Sequence, residues 1–327
     1  MNAFDKFEKP EAISPTLMRL LPWVGLLLLA FVEAVVLADA RLGLVLHAVV
    51  LVGLITYRTY LARIPEGRNL CLALCLLPIM RMLSLGLPYA MLPRDSWHFL
   101  VSVPMLIAVI MALRHMAWRD PDNPDEAADD DGHDIRVQPA ALPVLLLIGC
   151  GGLVLGQIVF NGMKLLALKD LSPANAFNAP WQAFLPVTSG LALSAICEEI
   201  IFRSMIQSSA GQVIGGRASL VFTALLYTVM SLGNMASNSL LPEFVLVFVI
   251  AMLMGVIVYW SRSIVGTSLL HIAINVTTFV VLPALASSSS AGVVAWLPWL
   301  MAASAALGAC GLIGLALRQN EQPESYA

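Results

Sequence analysis

The stretch LPEFVLVFVIAMLMGVIVYW, residues 241–260, carries a single ionisable carboxylate, Glu243, in an otherwise apolar run. An α-helix needs about 20 apolar residues to cross the hydrocarbon of a bilayer, and this segment has that length. In lipid a helix also satisfies its own backbone N–H and C=O groups, which an open strand cannot do. About ten such stretches follow one another along the chain: Leu20–Ala38, Leu42–Tyr57, Leu70–Leu92, Trp97–Leu113, Ala140–Phe160, Trp181–Met205, Ala218–Leu232, Leu241–Trp260, Ile264–Leu285 and Val293–Leu317. The expected fold is therefore all-α, a polytopic transmembrane helical bundle of about ten spans.

Composition agrees with the pattern. Of 327 residues, 59% are hydrophobic and 12% charged, too few charges to cover a water-facing surface of this size. With 18 Lys+Arg against 21 Asp+Glu there is no basic surplus to neutralise phosphates, which excludes nucleic-acid binding as a main role. The five cysteines, Cys71, Cys75, Cys150, Cys197 and Cys310, lie in apolar stretches and read as small buried hydrophobes rather than a disulfide framework. The Ala38-Asp39-Ala40 step resembles a signal-cleavage site, but the run before it is long for a signal h-region and its flanking charges are mixed, so a retained helix is expected.

Arginine and lysine between spans set the orientation. With the N-terminus inside, Lys6, Lys9, Arg19, Arg58, Arg63, Arg68, Arg114, Arg119, Arg136, Arg217, Arg262 and Arg318 fall at cytoplasmic ends, against Arg41, Arg94, Lys164 and Lys169 outside. Both termini are expected in the cytoplasm, with the chain in the plasma (inner) membrane. The segment Trp118–Pro139, rich in aspartate and broken by Pro121 and Pro124, reads as a solvated linker. It divides a four-span region (1–117) from a six-span region (140–318), ahead of a polar tail (319–327). No internal repeat is visible, which weighs against a transporter built from paired halves.

Ionisable residues inside the spans are functional candidates because hydrocarbon penalises them. Glu33 and Arg81 are expected to pair with each other, and His47 reads as a hydrogen-bonded packing residue. The end of the sixth span reads Glu198-Glu199-Ile200-Ile201-Phe202-Arg203. Glu199 and Arg203, at i and i+4, share a helix face as an ion pair, while Glu198 is turned about 100° away and left as a candidate general base. In the ninth span His271 and Asn275 also stand at i and i+4 and can present donors to a developing oxyanion. Between them, Tyr227 and Ser231 share a face of modest polarity that packing alone would explain.

Taken together these residues resemble the CAAX-protease and bacteriocin-processing (CPBP) family, intramembrane endopeptidases that include the eukaryotic Ras-converting enzyme. The family's Glu-Glu-x-x-x-Arg is matched by Glu198, Glu199 and Arg203, and its His-x-x-x-Asn by His271 and Asn275. Gly255–Tyr259 followed by Ser261-Arg262-Ser263 looks like the approach to the last motif. The resemblance covers roughly Trp181–Leu285. Where the family shows Phe-x-x-x-His, this chain has Tyr227 and Ser231, with no histidine between Arg203 and His271. The resemblance implies an endopeptidase in which Glu198 activates water, Glu199 and Arg203 form a structural pair, His271 and Asn275 hold the oxyanion, and Ser231 stands where a second water-activating group belongs.

A serine is a poor base, and losing a general-base partner commonly costs about 10²–10⁴-fold. The alternative is thus a catalytically silent relative that binds peptides or lipidated tails as a scaffold or immunity protein; a transporter is the weaker option. Glu198 and His271 are the candidate metal ligands, but one imidazole is sparse for zinc, and the metal-free reading is preferred. The expected partners are a membrane-associated protein or peptide substrate and the lipid bilayer.

Overall fold

The computed structural model describes residues 15–60, 65–86, 97–116, 141–165, 181–232, 240–287 and 291–321. The acidic linker 118–139, the N-terminal charges at Lys6 and Lys9, and Arg63, Arg94 and Lys169 lie outside the described residues. The described chain is all-helical: α1 (Pro15–Ala38), α2 (Ala40–Tyr60), α3 (Pro65–Gly86), α4 (Trp97–Met116), α5 (Leu142–Cys150), α6 (Gly152–Leu165), α7 (Trp181–Glu199), α8 (Ser208–Ile214), α9 (Gly216–Ser231), α10 (Leu240–Ser261), α11 (Val265–Val276), α12 (Leu282–Ser287) and α13 (Ala291–Glu321). Two π-helical segments, Ile200–Gln207 and Thr277–Val281, continue α7 and α11.

Among the described residues eight stretches are long and apolar enough to cross a membrane. The two others expected from the sequence are helical but differ in kind. One carries Glu198, Glu199 and Arg203 together, and the other, α9, is only 16 residues long. Side chains such as Leu27, Trp296 and Trp299 stand exposed on the outside of the bundle, where only lipid could cover so much apolar surface. The protein is an integral multi-pass membrane protein. Of the cysteines, Cys71, Cys75 and Cys197 are buried as expected, whereas Cys150 and Cys310 are exposed on lipid-facing helix surfaces, where a small apolar side chain needs no burial in protein.

Local chemistry explains the breaks between spans. Asp39 alone separates α1 from α2; its carboxylate accepts from the backbone N–H of Arg41 (2.8 Å) and Leu42 (3.3 Å), capping α2. Between α10 and α11 the turn is held by Ser261 and Ser263, with Arg262 in the left-handed region at φ 52°. The Ser263 hydroxyl accepts from the Val265 N–H at 3.3 Å and so starts α11.

Helix α11, which carries His271, is seated by small residues. Gly152 and Gly156 of α6 form a Gly-x-x-x-Gly face on which α11 packs so closely that a Cβ at Gly152 would lie 2.6 Å from the Leu270 carbonyl oxygen. The Thr278 hydroxyl donates to the Gly156 carbonyl at 3.1 Å just beyond. Behind these, Gly151 of the α5–α6 junction meets Gly308 of α13 almost backbone to backbone.

The front helices are not a separate layer. Leu74, Leu77 and Met105 share one apolar core with Ile201, Phe202, Met205 and Ile206 of the first π segment. Within the front bundle, Arg81 on α3 grips Glu33 on α1 through Nη2 at 2.6 Å and Nε at 2.8 Å, and His47 on α2 meets the same carboxylate at 3.1 Å. All three side chains are buried, so this cluster fastens three spans together as a charge-neutralising knot.

Candidate active site

Three elements meet: the junction of α7 with its π segment, the C-terminal half of α9, and the middle of α11. Where α7 ends, the wider π turn changes the register, and Glu198 and Glu199 go to different partners. Glu198 turns toward α9. Its Oε1 accepts from Ser194 one turn back (3.0 Å), and its Oε2 accepts from the Tyr227 hydroxyl (3.1 Å). Glu199 turns toward α11, where its Oε1 stands 3.0 Å from His271 Nδ1. A carboxylate only accepts, so Nδ1 carries a proton and His271 presents Nε2 to the other side of the ring. That Nε2 lies 3.4 Å from the Tyr227 hydroxyl and 3.8 Å from Glu198 Oε2.

The result is a ring of three groups, His271, Tyr227 and Glu198, within hydrogen-bond or near-contact distance at each step, with Glu199 joined to it through His271. Exposure separates their roles. The side chains of Glu199 and His271 are 1% and 5% exposed, against 23% for Glu198. Of the two carboxylates and the imidazole, Glu198 is the one open to a water or a substrate.

Arg203 lies 3.7 Å through Nε from Glu199 Oε2, so the expected ion pair is present but too long for a hydrogen bond. The nearer partner of Glu199 is His271. A helical wheel sees only its own helix, so it assigned Glu199 wholly to Arg203 and missed the imidazole that α11 delivers. The guanidinium is buried, its centre 5.7 Å from the centroid of the Tyr227 ring, a cation–π arrangement that holds Tyr227 from behind. Phe202 packs edge-on against the same ring at 4.9 Å. Gln207 ties the π segment to α10 by donating to the Gly255 carbonyl at 3.1 Å, and the Cys197 thiol faces the Ser102 carbonyl of α4 at 3.6 Å.

The remaining two expected site residues stand apart from this ring. The Ser231 hydroxyl donates to the Tyr227 carbonyl of its own helix at 2.9 Å and, among the described residues, meets no carboxylate or imidazole. A serine near a helix end finds its own i−4 carbonyl more readily than a distant partner. Asn275 stands one turn beyond His271, partly exposed, with no side-chain hydrogen bond among the described residues. Reading the sequence alone undervalues Tyr227, whose hydroxyl meets both Glu198 and His271, and overlooks Ser194. The i, i+4 spacing of Ser194 to Glu198 was a usable signal for the second.

Residues 180–277 match the family profile described as type II CAAX prenyl endopeptidase, Rce1-like. This segment is an Rce1-like domain. No curated protein and no solved structure matches the chain. The Rce1-like domain contains every member of the ring and ends just past Asn275, so the front four spans, α5 with α6, and α13 lie outside it. Among the described residues no group of three or more His, Cys, Asp or Glu side chains is disposed to hold a metal ion. Glu199 already engages the Nδ1 of the domain's one imidazole, which leaves Glu198 and His271 Nε2 short of the three protein ligands of a catalytic zinc.

Proposed function

We propose that this protein is an intramembrane endopeptidase that cleaves a membrane-associated or lipidated peptide, with Glu198 as the general base. The observation that carries the reading is the 23%-exposed Glu198 carboxylate set 3.8 Å from a buried imidazole inside a domain of a peptidase family. Glu198 takes one proton from a water as the water oxygen attacks the scissile carbonyl carbon, and the tetrahedral intermediate carries the negative charge on the former carbonyl oxygen. His271, protonated at both ring nitrogens with its Nδ1–H held by Glu199, donates from Nε2 to that oxygen, as does Asn275 one turn along α11. Glu198 then returns the proton to the amide nitrogen as the C–N bond breaks, leaving a free amine and a carboxylic acid, which gives its remaining proton to solvent. Tyr227 steadies the Glu198 carboxylate through its hydroxyl and takes over the positioning task that the family gives to a histidine at Ser231. Arg203 stays behind Glu199 and Tyr227 as a structural cation.

Ser231 itself favours a second reading, a silent relative that binds the same peptides without cutting them. The two separate in proteoliposomes loaded with fluorogenic peptides that end in a farnesylated or an unmodified cysteine tail. The endopeptidase reading expects cleavage of at least one peptide by the wild-type chain and its loss in Glu198→Gln. Peptide binding without cleavage by either protein would favour the second reading. The orientation that goes with this function puts both termini and the Lys/Arg-rich ends on the cytoplasmic side of the plasma membrane, testable by accessibility of single introduced cysteines near each terminus.

A further inference from the structure

The front bundle contains an apolar groove of about 410 Å³ between α1, α2 and α3, which lie outside the Rce1-like domain, with Val213 of α8 the lining residue that belongs to that domain. Gly25 and Gly53 line it, and a Cβ built at either would meet no atom within 4 Å. These two glycines therefore do not serve close helix packing; they keep a slot open. The groove reaches one end of the bundle. Met18 lies in the first turns of α1, Tyr57 in the last turn of α2 and Gly67 in the first turn of α3, and the alternating direction of the helices brings all three to the same end.

Each of those lining residues is followed in the chain by an arginine: Arg19, Arg58 and Arg68. The tendency of basic residues to stay on one side of a membrane places arginines at helix ends but leaves their donors in water. Arg58 departs from that. Its Nε is enclosed with no hydrogen-bond partner among the described residues, and its charge reaches Cys71 on the α3 wall of the groove. An enclosed guanidinium N–H calls for an acceptor. The groove is lined by apolar side chains apart from Tyr57, and two further arginines stand at the same end, so the fitting acceptor is an anion, and the apolar slot beside it fits hydrocarbon.

We propose that this groove binds one acyl chain of an anionic phospholipid from the bilayer, with the phosphate seated on Arg58 and flanked by Arg19 and Arg68. Arg58 supplies charge-assisted hydrogen bonds, Arg19 and Arg68 add field at the rim, and the chain lies along Gly25 and Gly53.

The test uses the full chain, purified and reconstituted in nanodiscs of phosphatidylcholine with a minor fraction of phosphatidylglycerol, and native mass spectrometry of the retained lipid. One phosphatidylglycerol is expected per chain, enriched at least tenfold over its share of the bilayer. Arg58→Gln is expected to remove the enrichment while leaving some lipid bound. Gly53→Leu, whose Cβ meets no atom within 4 Å and whose side chain extends into the slot, is expected to remove retained lipid of both kinds while the protein elutes and melts as the wild type does. Wild-type protein retaining the two lipids in their bilayer ratio overturns the proposal, and so does undiminished phosphatidylglycerol in Gly53→Leu. None of these readouts depends on peptide cleavage.

Discussion

Replacing Tyr227 with phenylalanine removes one oxygen atom and isolates what the hydroxyl contributes. That oxygen donates to Glu198 Oε2 at 3.1 Å and stands 3.4 Å from His271 Nε2. Without it, Glu198 keeps only the Ser194 hydroxyl on Oε1, and its nearest contact to the imidazole is the 3.8 Å gap. A hydrogen bond to a charged group contributes about 1.5–3 kcal/mol, and if that is felt in the transition state for water attack it amounts to about a ten- to two-hundred-fold loss in kcat/KM. The ring remains, still wedged between Phe202 and Arg203, so stability should change little. The decisive comparison adds Ser231→His to Tyr227→Phe, which recreates the phenylalanine and histidine of the family's middle motif. The double variant is expected to recover most of the lost rate in the proteoliposome assay, because the imidazole then supplies the missing positioning group. Tyr227→Phe cleaving within twofold of wild type, in a preparation where Glu198→Gln is inactive, would refute the role given to the hydroxyl.

Three further outcomes follow from the packing. Gly152→Ala pushes a methyl to within 2.6 Å of the Leu270 carbonyl oxygen, so α11 must shift; the expected destabilisation is about 1–3 kcal/mol in detergent melts, with cleavage falling as His271 moves, and an unchanged melting temperature would contradict it. Arg81→Met leaves Glu33, fully buried, with only His47 beside it; by analogy with other broken buried pairs this costs about 3–5 kcal/mol, read as loss of folded protein in the membrane fraction, and normal accumulation would count against it. Ser231→Ala removes a hydroxyl bonded only to its own helix, so kcat/KM is expected to stay within about twofold; a tenfold loss would show that Ser231 reaches the reacting groups.

The spans were legible because the bilayer imposes a length and a polarity on each of them, and the run from Leu241 to Trp260 states both without help from any neighbour. The pairing of Glu33 with Arg81 was legible for a related reason: two opposite charges buried in apolar spans have few other ways to be satisfied. The candidate site residues Glu198, Glu199, Arg203 and His271 were also visible, since ionisable groups there stand out against the hydrocarbon. Their partners were not. Whether Glu199 answers to Arg203 or to His271 depends on how closely α11 approaches α7, which Gly152 and Gly156 decide from a helix outside the Rce1-like domain. The π turn after Glu199 changes the angle at which the two carboxylates leave the helix, and no residue pattern in the chain announces it. The hydroxyl that meets Glu198 therefore belongs to Tyr227, while Ser231, one turn further on, bonds to its own backbone. Polarity against a uniform apolar solvent is a local property and can be read along the chain, but which polar group meets which is a distance between helices, and only their packing determines it.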